Sequence, residues 1–201
     1  VNIDTNVPET TEKRDKSPRL APELESSLKR YGSYTELKRA ALIIAAAQTD
    51  KRSVKKLREE FLKIDTDASG TINEQELCAA LGVAELDTPT KDVFAKLDHD
   101  RSGEVHYHEF LAATLEAHEL LNEEVLQDTF DRMDHDDSGV ISRENLRSLL
   151  GSRASDELVE TLMQDGDLKR NGHVDYEEFS RVMRSGASGS VDSLEDVAPM
   201  F

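Results

Sequence analysis

The sequence has no tryptophan, and its four tyrosines and six phenylalanines supply only 5% of 201 residues. It has one cysteine, Cys78, which excludes an intrachain disulfide and fits a reducing compartment. The longest apolar run, Ala40 to Ala47, is 8 residues, whereas a spanning helix needs about 20. No signal-peptide pattern is present. Positive charge is also short: 25 Lys and Arg face 42 Asp and Glu, a net charge of −17. That balance excludes nucleic-acid recognition through a basic face, and an anionic membrane surface would repel the bulk of the chain. What remains is a polar chain, 37% hydrophobic and 33% charged, long enough for one or two domains and a sizeable core. It begins with Val rather than Met, so a fragment of a cytoplasmic protein is expected, with any lipid tether encoded upstream.

The charge is unevenly placed. Residues 11–52 hold ten bases and six acids, residues 1–10 contribute −2, and residues 53–201 hold 15 bases and 34 acids. A mildly basic arm therefore precedes a strongly acidic body, and one part could bind the other. Residues 1–21 read as a disordered linker, with Pro8 and Pro18 among Thr, Lys and Glu. Leu24 to Ala47 reads as helix, broken near Gly32 and Ser33, with Leu37, Ala40, Ala41 and Ile44 at helical spacing beside Lys38 and Arg39. From Ser185 the chain reads as a flexible Gly/Ser-rich tail, whose Leu194, Val197, Met200 and Phe201 offer at most a short docking helix.

The body contains a fourfold repeat of acidic loops, starting at Asp65, Asp98, Asp134 and Asp167, with separations of 33, 36 and 33 residues that suggest two pairs. The pattern suits Ca²⁺, a hard cation that takes six to eight oxygens at about 2.3–2.6 Å. Loop positions 1, 3 and 5 present side-chain oxygens, position 6 is a glycine at a sharp turn, and position 7 gives a carbonyl. Position 9 often acts through water, and position 12 closes the shell with both oxygens of a Glu. Position 8 is apolar in all four copies (Ile72, Val105, Ile141, Val174), suited to short strand pairing between loops. Apolar flanks agree: Val54, Leu57, Phe61 and Leu62 before loop one, Leu77, Ala80 and Leu81 after it, Leu126 and Phe130 before loop three, and Leu146, Leu149 and Leu150 after it. The units are helix–loop–helix EF-hands.

Loop one is complete, with Asp65, Asp67, Ser69, the Thr71 carbonyl, Asn73 and Glu76. Loop two offers Asp98, Asp100, Ser102, the Glu104 carbonyl and Glu109, with His106 at position 9. Both are expected to bind Ca²⁺, giving about two strong sites. Loop three has Asp134, Asp136, Ser138 and the Val140 carbonyl, but Asn145 stands where the bidentate Glu belongs, so its affinity should fall. Loop four carries Lys169 at position 3, a like charge without an oxygen, and is expected to be empty despite Glu178. Loops three and four then serve to hold their lobe together. His99, His106, His108, His135 and His173 invite a zinc reading, but no Cys accompanies them and most are at outward loop positions. Cys78 reads as a small buried residue.

Two EF-hand pairs resemble calmodulin, an all-α fold with short β pairing between loops. The run Leu37 to Ala45, the stretch Leu57-Arg58-Glu59-Glu60-Phe61 and the stretch Glu109 to Thr114 are similar to the junction and EF-hands of calcium-dependent protein kinases of plants and apicomplexan parasites. The resemblance covers roughly residues 22–184. It implies a junction (22–50), an N-terminal EF-hand lobe (51–118), a C-terminal lobe (119–184) and a tail (185–201). It also implies a kinase domain in cis, blocked by the junction at low Ca²⁺ and relieved when the lobes engage that helix. The chain itself has no Gly-rich phosphate loop, His-Arg-Asp or Asp-Phe-Gly, so it carries no catalyst. Asn145, Lys169 and the 33-residue spacing of the first two loops depart from the family's pattern.

Beside the resemblance stands a physical reading: a basic, apolar helix in cis with an acidic two-lobed sensor is a target and its receptor on one string. Leu37, Ala41, Leu42 and Ile44 are the expected anchors, with Lys38 and Arg39 facing acidic rims. The plainer alternative makes this helix packed core of the first lobe. The competing functions are a free-standing adaptor acting in trans and a Ca²⁺ buffer. An exposed junction helix could also dock into a second copy, giving a helix-exchange dimer.

Overall fold

A computed structural model describes residues 19–83 and 88–186. The expected linker before residue 19, residues 84–87 and the expected tail from residue 187 lie outside the described residues.

Helix α1 (Pro22–Tyr31) starts on Pro22, with Glu23 and Glu25 in its first turn and Lys29 and Arg30 in its last, each charge favourably placed on the helix dipole. Helix α2 (Glu36–Gln48) follows across Gly32–Ser33, and the Thr35 side chain caps it by accepting from the Lys38 N–H. The four EF-hands then run α3 (Lys55–Ile64), β1 (Thr71–Ile72) and α4 (Glu74–Leu81); α5 (Thr88–Leu97), β2 (Val105–His106) and α6 (Tyr107–Thr114); α7 (Glu123–Met133), β3 (Val140–Ile141) and α8 (Arg143–Leu150); α9 (Asp156–Gly166), β4 (Val174–Asp175) and α10 (Tyr176–Arg184). A 3-10 turn, Glu116–His118, joins the two pairs.

The strands pair antiparallel, with Ile72 opposite Val105 and Ile141 opposite Val174. All four of these residues are buried, so the apolar position 8 joins each pair of loops. The few aromatics are concentrated beneath them. Phe61 packs edge-on against Tyr107 and Phe110 at ring separations of 5.2 and 5.5 Å. Phe130 repeats this against Tyr176 and Phe179 at 5.3 and 5.5 Å. Such T-shaped contacts add to the area they bury. Two flanking residues read as core are not. Leu62 is 54% exposed and Leu149 38%, because Leu57, Phe61 and Ile64 already complete the inward face of α3 and Leu146 and Leu150 that of α8.

Helix α2 lies between the two pairs. It packs on α6 of the first and on α7 and α9 of the second, while α1 covers α5 and α6. Gly166, the last residue of α9, makes room for it: a Cβ there would stand 2.5 Å from Leu37 Cδ2 and 2.7 Å from Val174 Cγ2. Leu37 therefore seats against the position-8 residue of loop four. The Leu37 N–H donates to Asp165 Oδ2 at 3.2 Å, so α9 also supplies an anion to the start of α2.

Candidate metal sites

All four loops share one scaffold. The position-1 carboxylate accepts from backbone N–H groups four and five residues ahead. Asp65 takes those of Ser69 and Gly70 at 3.0 and 2.9 Å, and Asp98 those of Ser102 and Gly103 at 2.8 Å each. Asp134 and Asp167 repeat the pattern. The position-6 glycines Gly70, Gly103, Gly139 and Gly172 have φ between 81° and 89°, which side-chain-bearing residues rarely adopt.

The exit helices orient position 12. Glu76 is the third residue of α4 in a capping box: Asn73 Oδ1 accepts from the Glu76 N–H at 3.0 Å, and Glu76 Oε2 accepts from the Asn73 N–H at 3.0 Å. Its other oxygen accepts from the Thr66 N–H at 2.8 Å. Glu109 is held likewise by the N–H groups of His106 at 2.8 Å and His99 at 2.7 Å. Burial is the main influence on Glu109 and raises its pKa, with the Asp100 charge adding to the rise and backbone donors opposing it.

Two carboxylate clusters result among the described residues: Asp65, Asp67 and Glu76, and Asp98, Asp100 and Glu109. Within each, ligand oxygens lie within 4.8 Å of one another. Oxygens that share one Ca²⁺ at 2.3–2.6 Å are separated by at most about 5 Å, so both clusters fit that ion. Ser69 and Ser102 turn their hydroxyls to the Thr71 and Glu104 carbonyls, at 3.2 and 2.9 Å, which gathers positions 5 and 7. Asn73 serves its helix as cap. His106 lies 3.6 Å from Asp100 Oδ2 and stacks on His108; neither cluster includes a histidine. Between the loops, Thr71 Oγ1 donates to Glu104 Oε2 at 2.7 Å.

The second pair uses the same scaffold differently. Asn145 Oδ1 accepts from the Ser142 N–H at 2.7 Å, so its one oxygen is turned to the cap. Its Nδ2 faces the loop, donating to Asp136 Oδ1 at 3.1 Å and lying 2.7 Å from His135 Nδ1. This donor, first among several hydrogen bonds, brings Asp136 down to about 2. In loop four, Lys169 Nζ lies 2.5 Å from Asp175 Oδ2 and 3.0 Å from Glu177 Oε2, and the Asp175 contact chiefly raises its pKa. Protein donors thus occupy acids in both loops. Neither loop forms a three-carboxylate cluster among the described residues.

On α2, Leu37, Ala41 and Leu42 are fully buried, as are Ala45 and Ala46 one turn on, while Ile44 is half-buried. Lys38 reaches Glu116 at 2.6 Å. Arg39 donates to the Tyr34 carbonyl at 3.0 Å and pairs with Glu36 on its own helix. Sequence reasoning missed Tyr34, Glu116, Asp165 and Gly166. The first three look like ordinary surface residues in the linear chain, and Gly166 sits outside the loop where glycine was expected.

A family model for the EF-hand domain pair matches twice, at residues 54–115 and 123–184. The chain is 32% identical over 166 residues to calcium-dependent protein kinase 2 of Zea mays, covering 80% of this chain and 32% of the maize protein. It is 34% identical over 166 residues to calcium-dependent protein kinase 9 of Arabidopsis thaliana, covering 80% and 31%. Calcium-dependent protein kinase 21 of the same plant is 32% identical over 171 residues, covering 81% and 32%. The chain thus spans about a third of the length of the curated relatives it matches. No helix among the described residues is long and apolar enough to cross a membrane. Twice-matched domain pairs, paired loops and two clusters fitted to a hard cation agree that the chain belongs to the EF-hand family, as two EF-hand domain pairs similar to the calmodulin-like part of calcium-dependent protein kinases.

Proposed function

We propose that this chain is the calcium-sensing regulatory region of a calcium-dependent Ser/Thr protein kinase, and that it switches a kinase domain in cis by Ca²⁺-dependent engagement of α2. The supporting observation is the position of α2. The helix just ahead of the first EF-hand is buried against both pairs, in a chain whose relatives are named as calcium-dependent protein kinases. On this reading residues 22–50 are the junction, 51–118 the sensing lobe and 119–184 the lobe that holds the junction.

Loops one and two bind Ca²⁺ through Asp65, Asp67, Ser69, the Thr71 carbonyl and Glu76, and through Asp98, Asp100, Ser102, the Glu104 carbonyl and Glu109. Asn73 and His106 act through water. The ion supplies charge that draws the carboxylates of each cluster together; the chain's own part is to aim Glu76 and Glu109 from the first turns of α4 and α6. Because Glu76 and Glu109 stand in the first turns of α4 and α6, a shift of these carboxylates would move the exit helices, and α6 would pass that movement to α2, on which it packs directly. Loop three binds more weakly, with the Asn145 amide turned to Asp136, and loop four stays without metal, with Lys169 paired to Asp175 and Glu177.

Hydrogen exchange of α2 across a Ca²⁺ titration tests the reading. Protection of α2 should change at the Ca²⁺ concentration that fills the two loops, and Glu76→Gln with Glu109→Gln should abolish the change. Equal protection of α2 in Ca²⁺ and in chelator would refute the switch. The coding sequence upstream of Val1 should carry the kinase signatures.

A further inference from the structure

Lys38 is the least expected charge in the molecule. Its side chain is 2% exposed, on a helix whose buried face is otherwise mostly Leu and Ala. Its Nζ lies 2.6 Å from Glu116 Oε1, donates to the Ser185 carbonyl at 2.7 Å, and sits 4.1 Å from the centre of the Tyr34 ring. The Tyr34 hydroxyl donates to the other Glu116 oxygen. These partners come from three separate places: the turn before α2, the 3-10 turn between the two pairs, and the residue just after α10. One ammonium therefore ties α2 and the turn before it to the two other segments from which they must part if α2 leaves.

Burying an ion pair in this way gains little or nothing over an apolar side chain of similar shape, because both ions give up water. Burial indeed dominates at Lys38 and lowers its pKa, with Glu116 opposing. What the pair does supply is place and reversibility. A slip of α2 by one turn would strand the ammonium among apolar side chains, at a severe cost. Release, in contrast, returns both charges to water, which an apolar anchor would not favour.

We propose that Lys38, Glu116 and Tyr34 form a releasable latch, which fixes the register of α2 between the two EF-hand pairs and keeps its docking reversible. This rests on the reading of α2 as a helix that is engaged and released, and it names what regulates that step.

Hydrogen exchange on the full chain in saturating Ca²⁺ tests it. Glu116→Gln keeps the shape and removes the charge. Amides of α2 should then exchange about tenfold faster while those of α6 and α9 change little, as expected for losing one charge-assisted contact. Adding Lys38→Met to Glu116→Gln removes the stranded ammonium, and α2 should return to the original exchange rate or slower. Two results would overturn the latch: α2, α6 and α9 loosening together in Glu116→Gln, or the double variant being as loose as the single one. The Ca²⁺ switch fails separately, by equal α2 exchange of the unaltered chain in Ca²⁺ and in chelator; the variants still decide the latch in that case.

Discussion

At the scale of single residues, the side chain at position 12 separates loop one, whose acids form a three-carboxylate cluster, from loop three, whose acids form none among the described residues. Glu76 and Asn145 hold the same place in the same capping box. One presents a second oxygen to the loop, and the other presents a donor already spent on Asp136. Asn145→Glu should therefore raise the number of strong Ca²⁺ sites from about two to three in calorimetry, since Asp134, Asp136 and Ser138 are already arrayed. Glu76→Gln should remove roughly half of the strong binding. The acidic clusters were legible because ligand spacing within a loop is fixed by local turns, and a local turn can be read from consecutive residues. The way loops three and four satisfy themselves was only half legible. The loss of a ligand at Asn145 and Lys169 is written in the sequence. The turn of the Asn145 amide toward Asp136, and of Lys169 toward Asp175 and Glu177, depends on geometry that a linear pattern does not contain.

At the scale of elements, α2 is held by shape as much as by charge. Leu37 fits where Gly166 has no side chain, so the contact can be attacked from either side. Leu37→Ala should cost about 2–5 kcal/mol in denaturant unfolding, as large-to-small changes at fully buried sites do. Gly166→Ala improves helix propensity, yet should lower stability by about 1–3 kcal/mol, because the added methyl meets Leu37 and Val174 in an already filled space. The break between α1 and α2, the four helix–loop–helix units and the strand pairing at position 8 were all readable from periodicity and turn residues. Membership of α2 in two cores at once was not. Its small apolar residues suit any close helix contact, and nothing in Leu37, Ala41 or Leu42 says how many partners surround them. The same limit applies to Arg39: its charge calls for an acid, and the linear pattern does not say that Glu36 one turn away and the Tyr34 carbonyl supply its contacts.

At the scale of the whole molecule, the two pairs share an architecture and differ in what holds them. Two Ca²⁺ ions would take the formal charge from −17 to about −13, and all of that neutralisation would fall in the first pair. Chelator should therefore lower exchange protection around β1 and β2 far more than around β3 and β4. Binding at 100 times Kd stabilises by about 2.7 kcal/mol per site. Equal loss of protection in both pairs would show that the second pair also depends on metal.

The scarcity of aromatic rings has an optical consequence. With no tryptophan, ultraviolet emission comes from four tyrosines: Tyr31 and Tyr34 beside α2, Tyr107 in the first pair and Tyr176 in the second. The Tyr34 and Tyr176 hydroxyls donate to the carboxylates of Glu116 and Glu123, contacts that quench phenol emission. The Tyr31 and Tyr107 hydroxyls are buried with no such acceptor among the described residues. Detachment of α2 would break only the Tyr34 quench, so the unlabelled protein should brighten as α2 leaves, and Tyr34→Phe should remove that signal.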